Sequence, residues 1–434
     1  MAGRRLTVVA DRVVTLDPAG RVFAPGAVSI SIQHGRIEAV GPADDAPADG
    51  VVERLVGQVL LPGLVNTHTH TPMWLFRGLT EDVPRGEWLT GRMRPLEDAA
   101  RPEDLRAAAA AGCLELLLNG VTTIADRYGH MDAVADAVAA SGLRAIVGHS
   151  VYDVGADAAL AVTEGLLERF GTDPTRSRVT AGLAPHATDS CGPDLLGRVR
   201  ALADRTAARV FIHLAQSAAE VAAVRARSGK GCAAYLEDLG LLAPEVVLAH
   251  ATYLEAREAE LVGRRRAAVA HCPSSNAKLE GRVAPVTALR AAGASVGLGT
   301  DAACCNNGMD LFEEMKLAAL LNKVAADDPT ALPVADVLRL ATMDGARALG
   351  LDGLVGSLEV GKRADLVAVR TTSPRLQPWH DDAANLVYAV RGSDVRSVWV
   401  DGERLVRDGQ PTRQDAAAVM AAAARAAERV RYAE

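Results

Sequence analysis

Two histidines spaced two residues apart, His68 and His70 in "NTHTH", follow the apolar run "VLLPGLV". In an extended strand, side chains two apart share a face, so both imidazoles can aim at one ion. Imidazole nitrogen suits zinc, and a catalytic zinc site uses about three protein ligands and keeps a position for water. Candidates to complete such a set lie far along the chain: His213 in "HLAQS" and Asp301 in "GLGTDAA". An aspartate beside the ion could also take a proton from the attacking water. His250, in "LAHATYL", is a candidate for orienting that water or carrying a proton. An HxH pair alone carries little weight; its meaning depends on whether the other residues converge on it.

Convergence is what the surrounding elements predict. Eight apolar stretches, "VLLPGLVNTHTH", "GVTTIADR", "LRAIVGHSVYD", "VTAGLAPHATD", "VFIHLAQS", "VVLAHATYL", "AAVAHCPSSN" and "SVGLGTDAA", read as strands. Between them lie Ala/Leu-rich helical segments such as "PEDLRAAAAAGCLELLLNG". Repeated strand–helix units imply a parallel sheet, and eight of them suffice to close an α/β (β/α)8 TIM barrel. Nearly every stretch starts apolar and ends on a polar residue. A barrel gathers those ends at one face, so His68, His70, His149, His186, His213, His250, His271 and Asp301 are predicted to meet there. The barrel is expected over residues 63–356. Short alternating strands at both ends of the chain, 1–62 and 357–412, predict a small composite β-sandwich. Residues 413–434 read as a C-terminal helix on the surface or at a subunit contact.

The bulk composition narrows the function. With 49% hydrophobic and 23% charged residues among 434, the chain can bury a large core. A net charge of −7 without any Lys/Arg-rich run disfavours nucleic acid and anionic membranes as partners. The N-terminus lacks a signal-peptide pattern, and no stretch of about 18 apolar residues predicts a membrane span. Cysteines 113, 191, 232, 272, 304 and 305 form no CxxC pair, which predicts reduced thiols in a cytoplasmic protein. Cys304 and Cys305 read as small buried residues.

Taken together, "LPGLVNTHTHTPMWLFRGLTEDVPRGEWL", "LAPHATDS", "HLAQS", "LAHATYL", "AHCPSSNAKL", "GLGTDAACCNNGMDLFEEMKLAALLNK" and "GSLEVGKRADLVAV" resemble the amidohydrolase superfamily over nearly the whole chain. The resemblance is to methylthioadenosine/S-adenosylhomocysteine deaminases and triazine chlorohydrolases. It implies one divalent ion, zinc ahead of Fe²⁺ or Mn²⁺, on His68, His70, His213 and Asp301, with His250 near the attacking water. It further implies a small heterocyclic substrate, with Glu97 of "RPLEDAA" at ribose hydroxyls, Trp88 of "GEWL" walling the pocket and His186 hydrogen-bonded to the heterocycle. A homo-oligomer is expected.

Two positions depart from that pattern. The family's HxxE motif places a proton-shuttling Glu where this chain has Gln216. Glutamine donates a hydrogen bond but transfers no proton, and losing a general acid costs about 10² to 10⁴ in rate. Glu220, one helical turn on, or His186 would be the candidates to replace it. On the third strand, where the homocysteine-binding enzymes carry an Arg, "AIVGHSVYD" offers His149 as a substrate-binding candidate. The sequence therefore predicts a deaminase of an adenine-type nucleoside without a homocysteine carboxylate, with Asp301, His250 and Gln216 at the reacting atoms. Two alternatives stand beside it: removal of chloride or an alkylamine from an activated heterocycle, and a catalytically impaired homologue that keeps the metal and ligand sites.

Overall fold

The computed structural model describes residues 5–47 and 49–431. Eight parallel strands form its central sheet: β1 (Leu64–Thr69), β2 (Val121–Tyr128), β3 (Arg144–Val151), β4 (Val179–Pro185), β5 (Val210–Leu214), β6 (Val246–His250), β7 (Ala268–His271) and β8 (Ser295–Leu298). They are hydrogen-bonded in chain order. Side-chain and backbone bonds between the ends of β1 and β8 close the ring. Thr67 Oγ1 donates to the Leu298 carbonyl at 2.8 Å and Asn66 Nδ2 to Thr300 Oγ1 at 2.7 Å. The Asp301 N–H donates to the His68 carbonyl at 3.0 Å. The predicted (β/α)8 barrel is present.

Its interior is a packed core rather than a channel. Val65, Ile146, Phe211, Val247 and Ala268, from the first halves of their strands, meet Ala346 and Leu349. These close the end opposite the histidines, so the polar strand ends are left at a single open face. Phe211 and His213 stand two apart on β5, and Ile146 and Ser150 four apart on β3, so on these strands alternation puts an apolar residue below and a polar one above on the same inward side.

A second, nine-stranded mixed sheet combines both ends of the chain. Its join is the long strand Val51–Pro62, which runs parallel to Arg5–Val14 on one side and antiparallel to Leu366–Arg370 on the other. Strands Val395–Val400 and Glu403–Arg407 extend it, and Ile30, Leu60, Leu366 and Trp399 fill its core. The stretch "VLLPGLVNTHTH" therefore serves two sheets and changes over at Gly63. A Cβ there would lie 2.2 Å from the Thr122 side chain, which only glycine avoids. The C-terminal "VYAV", similar in texture to a strand, is part of a helical turn begun at Asp381, whose side chain caps the Ala384 N–H at 2.7 Å. Helix Ala416–Arg431 packs Ala423, Ala426 and Val430 inward. All six cysteines are buried free thiols. Among the described residues, no helix is long and apolar enough to cross a membrane.

A buried ion pair locks the two sheets together. Arg144, at the start of β3, makes two 3.1 Å bonds to Asp365 and a 2.5 Å bond to Asp401, which directly flank the outer-sheet strands Leu366–Arg370 and Val395–Val400. Asp365 also accepts from the Asp401 N–H at 2.8 Å, so it is fully committed. Removing one member of such a pair leaves a charge in low dielectric without compensation. Arg144→Met is expected to lower the unfolding free energy by about 3–5 kcal/mol, read as a lower urea midpoint.

Candidate functional site

The open end of the barrel holds a compact group of buried donors. His68, His70 and Asp301 can place one ligand atom each within 4.8 Å of the others, and so can His68, His213 and His250. Asp301 Oδ1 lies 3.2 Å from His70 Nε2 and 3.6 Å from His68 Nε2, while Oδ2 lies 3.9 Å from His250 Nε2. Ring centroids of His68 and His213 are 5.1 Å apart, and those of His213 and His250 5.2 Å.

These groups have the protonation states that metal binding needs. Burial pushes His68 down to about 3 and His250 to about 4, and holds His213 well below the usual histidine range. Burial opposes the charge on Asp301, yet the facing His68 and His70 imidazoles keep its carboxyl well below the ordinary value. The result is neutral His68, His213 and His250 beside a carboxylate, the forms in which these groups ligate metals. Among the described residues, His68 Nε2, His213 Nδ1 and His250 Nε2 are buried without a hydrogen-bond partner. Unsatisfied buried nitrogens, two of them within 3.9 Å of the Asp301 carboxylate, are costly unless something binds them. A divalent ion fits that donor set.

Neighbouring groups fix the rings. His70 Nδ1 is hydrogen-bonded to the Arg127 carbonyl, His250 Nδ1 pairs with Asn276 Oδ1 at 3.0 Å, and Ser275 Oγ donates to Asp301 Oδ2 at 2.5 Å. The backbone bends to allow this: His250 and Asp301 adopt left-handed φ of 75° and 56°. Such conformations cost non-glycine residues about 1–3 kcal/mol and concentrate at functional sites.

Above the donors opens a cavity of about 220 Å³, whose lining includes Trp88, Glu97, His186 and Gln216. Glu97 accepts from the Tyr128 hydroxyl at 2.7 Å, and burial raises its carboxyl above the usual range. Trp88 is 7% exposed, with its indole N–H unpartnered. His186 stacks on Tyr152 at 4.4 Å, pairs with Ser190 Oγ at 2.8 Å, and touches the His213 ring edge-on at 4.9 Å.

His149 and His271 do not join the site. Along β3 it is Ser150, and then Tyr152, that line the cavity; His149 points to the opposite face, where its Nδ1 accepts from the Met131 N–H at 3.4 Å. His271 is buried outside the cavity lining. Glu220 is no substitute acid. Its carboxylate turns back to accept from the Ala215 and Gln216 N–H groups at 3.0 and 2.8 Å and from Thr188 Oγ1. Cys304 and Cys305 are small buried residues as expected, and Cys305 lies in the cavity wall.

The sequence pattern of the amidohydrolase family matches residues 59–405. A 5-methylthioadenosine/S-adenosylhomocysteine deaminase of Syntrophobacter fumaroxidans is 42% identical, covering 98% of this chain and 97% of its own. This chain belongs to the amidohydrolase family. A 5'-deoxyadenosine deaminase of Methanosarcina barkeri is 39% identical over 96% of each chain. Among solved structures, an adenosine deaminase from Xanthomonas campestris with bound zinc superposes with a TM-score of 0.93 at 36% identity, covering 99% of both chains. An atrazine chlorohydrolase from Arthrobacter aurescens complexed with zinc gives 0.88 at 25% identity, covering 97% of this chain and 100% of that one.

Sequence reasoning on this amidohydrolase missed the groups that hold the others. Asn276 and Ser275 lie within the quoted "AHCPSSNAKL", where polar residues directly after an apolar strand were an available signal. Arg85 opens the helical stretch after β1, away from any strand end, while Tyr152 stands two residues after Ser150, where strand alternation was an available signal. Ser275→Ala is expected to weaken divalent-metal affinity about 10- to 100-fold, because it frees the carboxylate that it orients. Competition against a chromogenic chelator measures this.

Proposed function

We propose that this amidohydrolase is a metal-dependent hydrolytic deaminase of an adenine-type nucleoside. The observation that carries the reading is the placement of five buried His and Asp donors directly beneath a cavity walled by Trp88, Glu97 and His186. His68, His70, His213 and Asp301 would hold the ion, zinc ahead of iron or manganese. When bound, it activates a water and polarises the carbon under attack.

The protein's own groups supply the rest. The indole of Trp88 offers a flat face and an unpaired N–H to the substrate. Glu97, with one oxygen already held by Tyr128, keeps the other for ribose hydroxyls. His186, neutral and fixed by Ser190, donates or accepts at the heterocycle edge. His250, with Nδ1 occupied by Asn276, presents Nε2 to the Asp301 carboxylate, and these two groups take the proton of the attacking water and return it to the amine nitrogen, which leaves as ammonia when the C–N bond breaks. Gln216 donates an N–H hydrogen bond to a ring nitrogen next to the leaving amine.

The preferred substrate lacks a homocysteine carboxylate, since β3 contributes Ser150 to the cavity and no arginine. One observation favours a second reading. Arg94 lines the exposed side of the cavity, where a carboxylate-bearing nucleoside thioether would find a cation. Steady-state kinetics on 5'-deoxyadenosine and S-adenosylhomocysteine separate the two. A kcat/KM at least tenfold higher for the first is expected; the reverse ratio establishes the second reading.

The metal-loaded protein should release ammonia from 5'-deoxyadenosine, and exhaustive chelation should abolish release until Zn²⁺ is returned. Activity unaltered by chelation, or release of chloride from a chlorotriazine with none of ammonia, would defeat the proposal. Glu97→Gln should raise KM for the nucleoside roughly tenfold while kcat changes less, as loss of one charged hydrogen bond to the sugar predicts.

A further inference from the structure

Gln216 is not free to orient itself. Arg85 Nη2 lies 2.7 Å from Gln216 Oε1. A guanidinium carries donors only, so the atom facing it must be the amide oxygen. That commitment leaves the NH₂ of Gln216, which is 8% exposed and lines the cavity, as the group offered to a ligand. Arg85 is held in turn: its Nε stands 3.4 Å from Glu280 Oε1, and Glu280 Oε2 accepts from the Tyr253 hydroxyl at 2.9 Å. The Arg282 guanidinium covers the Tyr253 ring at 4.6 Å. The chain Gln216–Arg85–Glu280–Tyr253 thus runs from the cavity wall outward, with a hydrogen bond at each end and an ion pair without a hydrogen bond between Arg85 and Glu280.

We infer that Arg85 is a positioning residue that commits Gln216 to hydrogen-bond donation, making an acceptor lone pair on the ligand ring a requirement at this position. The inference deepens the deaminase reading and rests on it for the identity of the ligand. Arg85 and Gln216 form a matched pair. A carboxyl at position 216 would ion-pair with Arg85, which favours the deprotonated form and opposes its use as an acid. Restoring Glu at this position without removing Arg85 therefore gives a held carboxylate, not a proton shuttle.

Four metal-loaded proteins test this: wild type, Gln216→Glu, Arg85→Met and the double variant. Thermal unfolding reads the pair without any substrate. Gln216→Glu is expected to leave Tm unchanged or raised when Arg85 is present, and to lower it by several degrees in the Arg85→Met background. Equal Tm changes in both backgrounds would overturn the pairing. Ammonia release from 5'-deoxyadenosine reads its consequence. Gln216→Glu should increase kcat at least tenfold more in the Arg85→Met background than alone, and an equal increase would overturn the inference. Arg85→Lys keeps a cation at the position and should behave as wild type in both measurements. If no variant releases ammonia, the deaminase reading falls, and the unfolding measurement still decides the pair.

Discussion

Everything at the open face depends on the seam where the eighth strand returns to the first. Without it, β1 and β8 would be the two edges of an open sheet, with His68 and His70 on one edge and Asp301 on the other. The seam is made mostly by side chains rather than a full ladder: Asn66 both donates to Thr300 Oγ1 and accepts from the Thr300 N–H, at 2.7 and 3.1 Å. The Asp301 N–H then bonds directly to the His68 carbonyl. The backbone of one proposed ligand is therefore hydrogen-bonded to that of another. Short, directional contacts between buried polar groups tolerate little displacement, which is what a site needing sub-ångström placement demands.

Burial then sets the chemistry of the donors. A solvated cluster of four histidines around an aspartate would share protons. In this barrel, desolvation makes His68, His213 and His250 neutral, and hydrogen bonding to the facing imidazoles keeps Asp301 ionised. The same physics argues against Glu220 as an acid at the ligand. Burial raises it to about 7, a value suited to proton transfer, yet its oxygens are fully engaged by two backbone N–H groups and Thr188. A favourable pKa in the wrong direction contributes nothing to the reaction.

The fold was readable because its signal is repetitive. Eight apolar stretches each ending on a polar residue specify both the strand and the end that matters. His68, His70, His213, His250 and Asp301 could be found together because each lies at such an end. His149 failed because a strand end has two faces, and the inward one at β3 falls on Ser150 and Tyr152. Position on a strand end is a one-dimensional clue, whereas facing depends on register against neighbours. Arg85 was invisible for another reason: it opens a helical stretch inserted after β1, outside the strand ends by which the other site residues were found. Glu220 could be named as a neighbour one turn from Gln216, but not seen to cap the chain instead.

Closing the barrel across its own termini also orders events in time. Asn66 and Thr300 are 234 residues apart, so the donors on β1 leave the ribosome roughly 10–50 s before Asp301 is made. Through that interval the groups of β8 that bond to β1 do not yet exist. Contacts of such long separation are late in folding. The complete donor set is thus withheld from a half-made chain, and an ion held by all four groups can be acquired only once the last strand has been added.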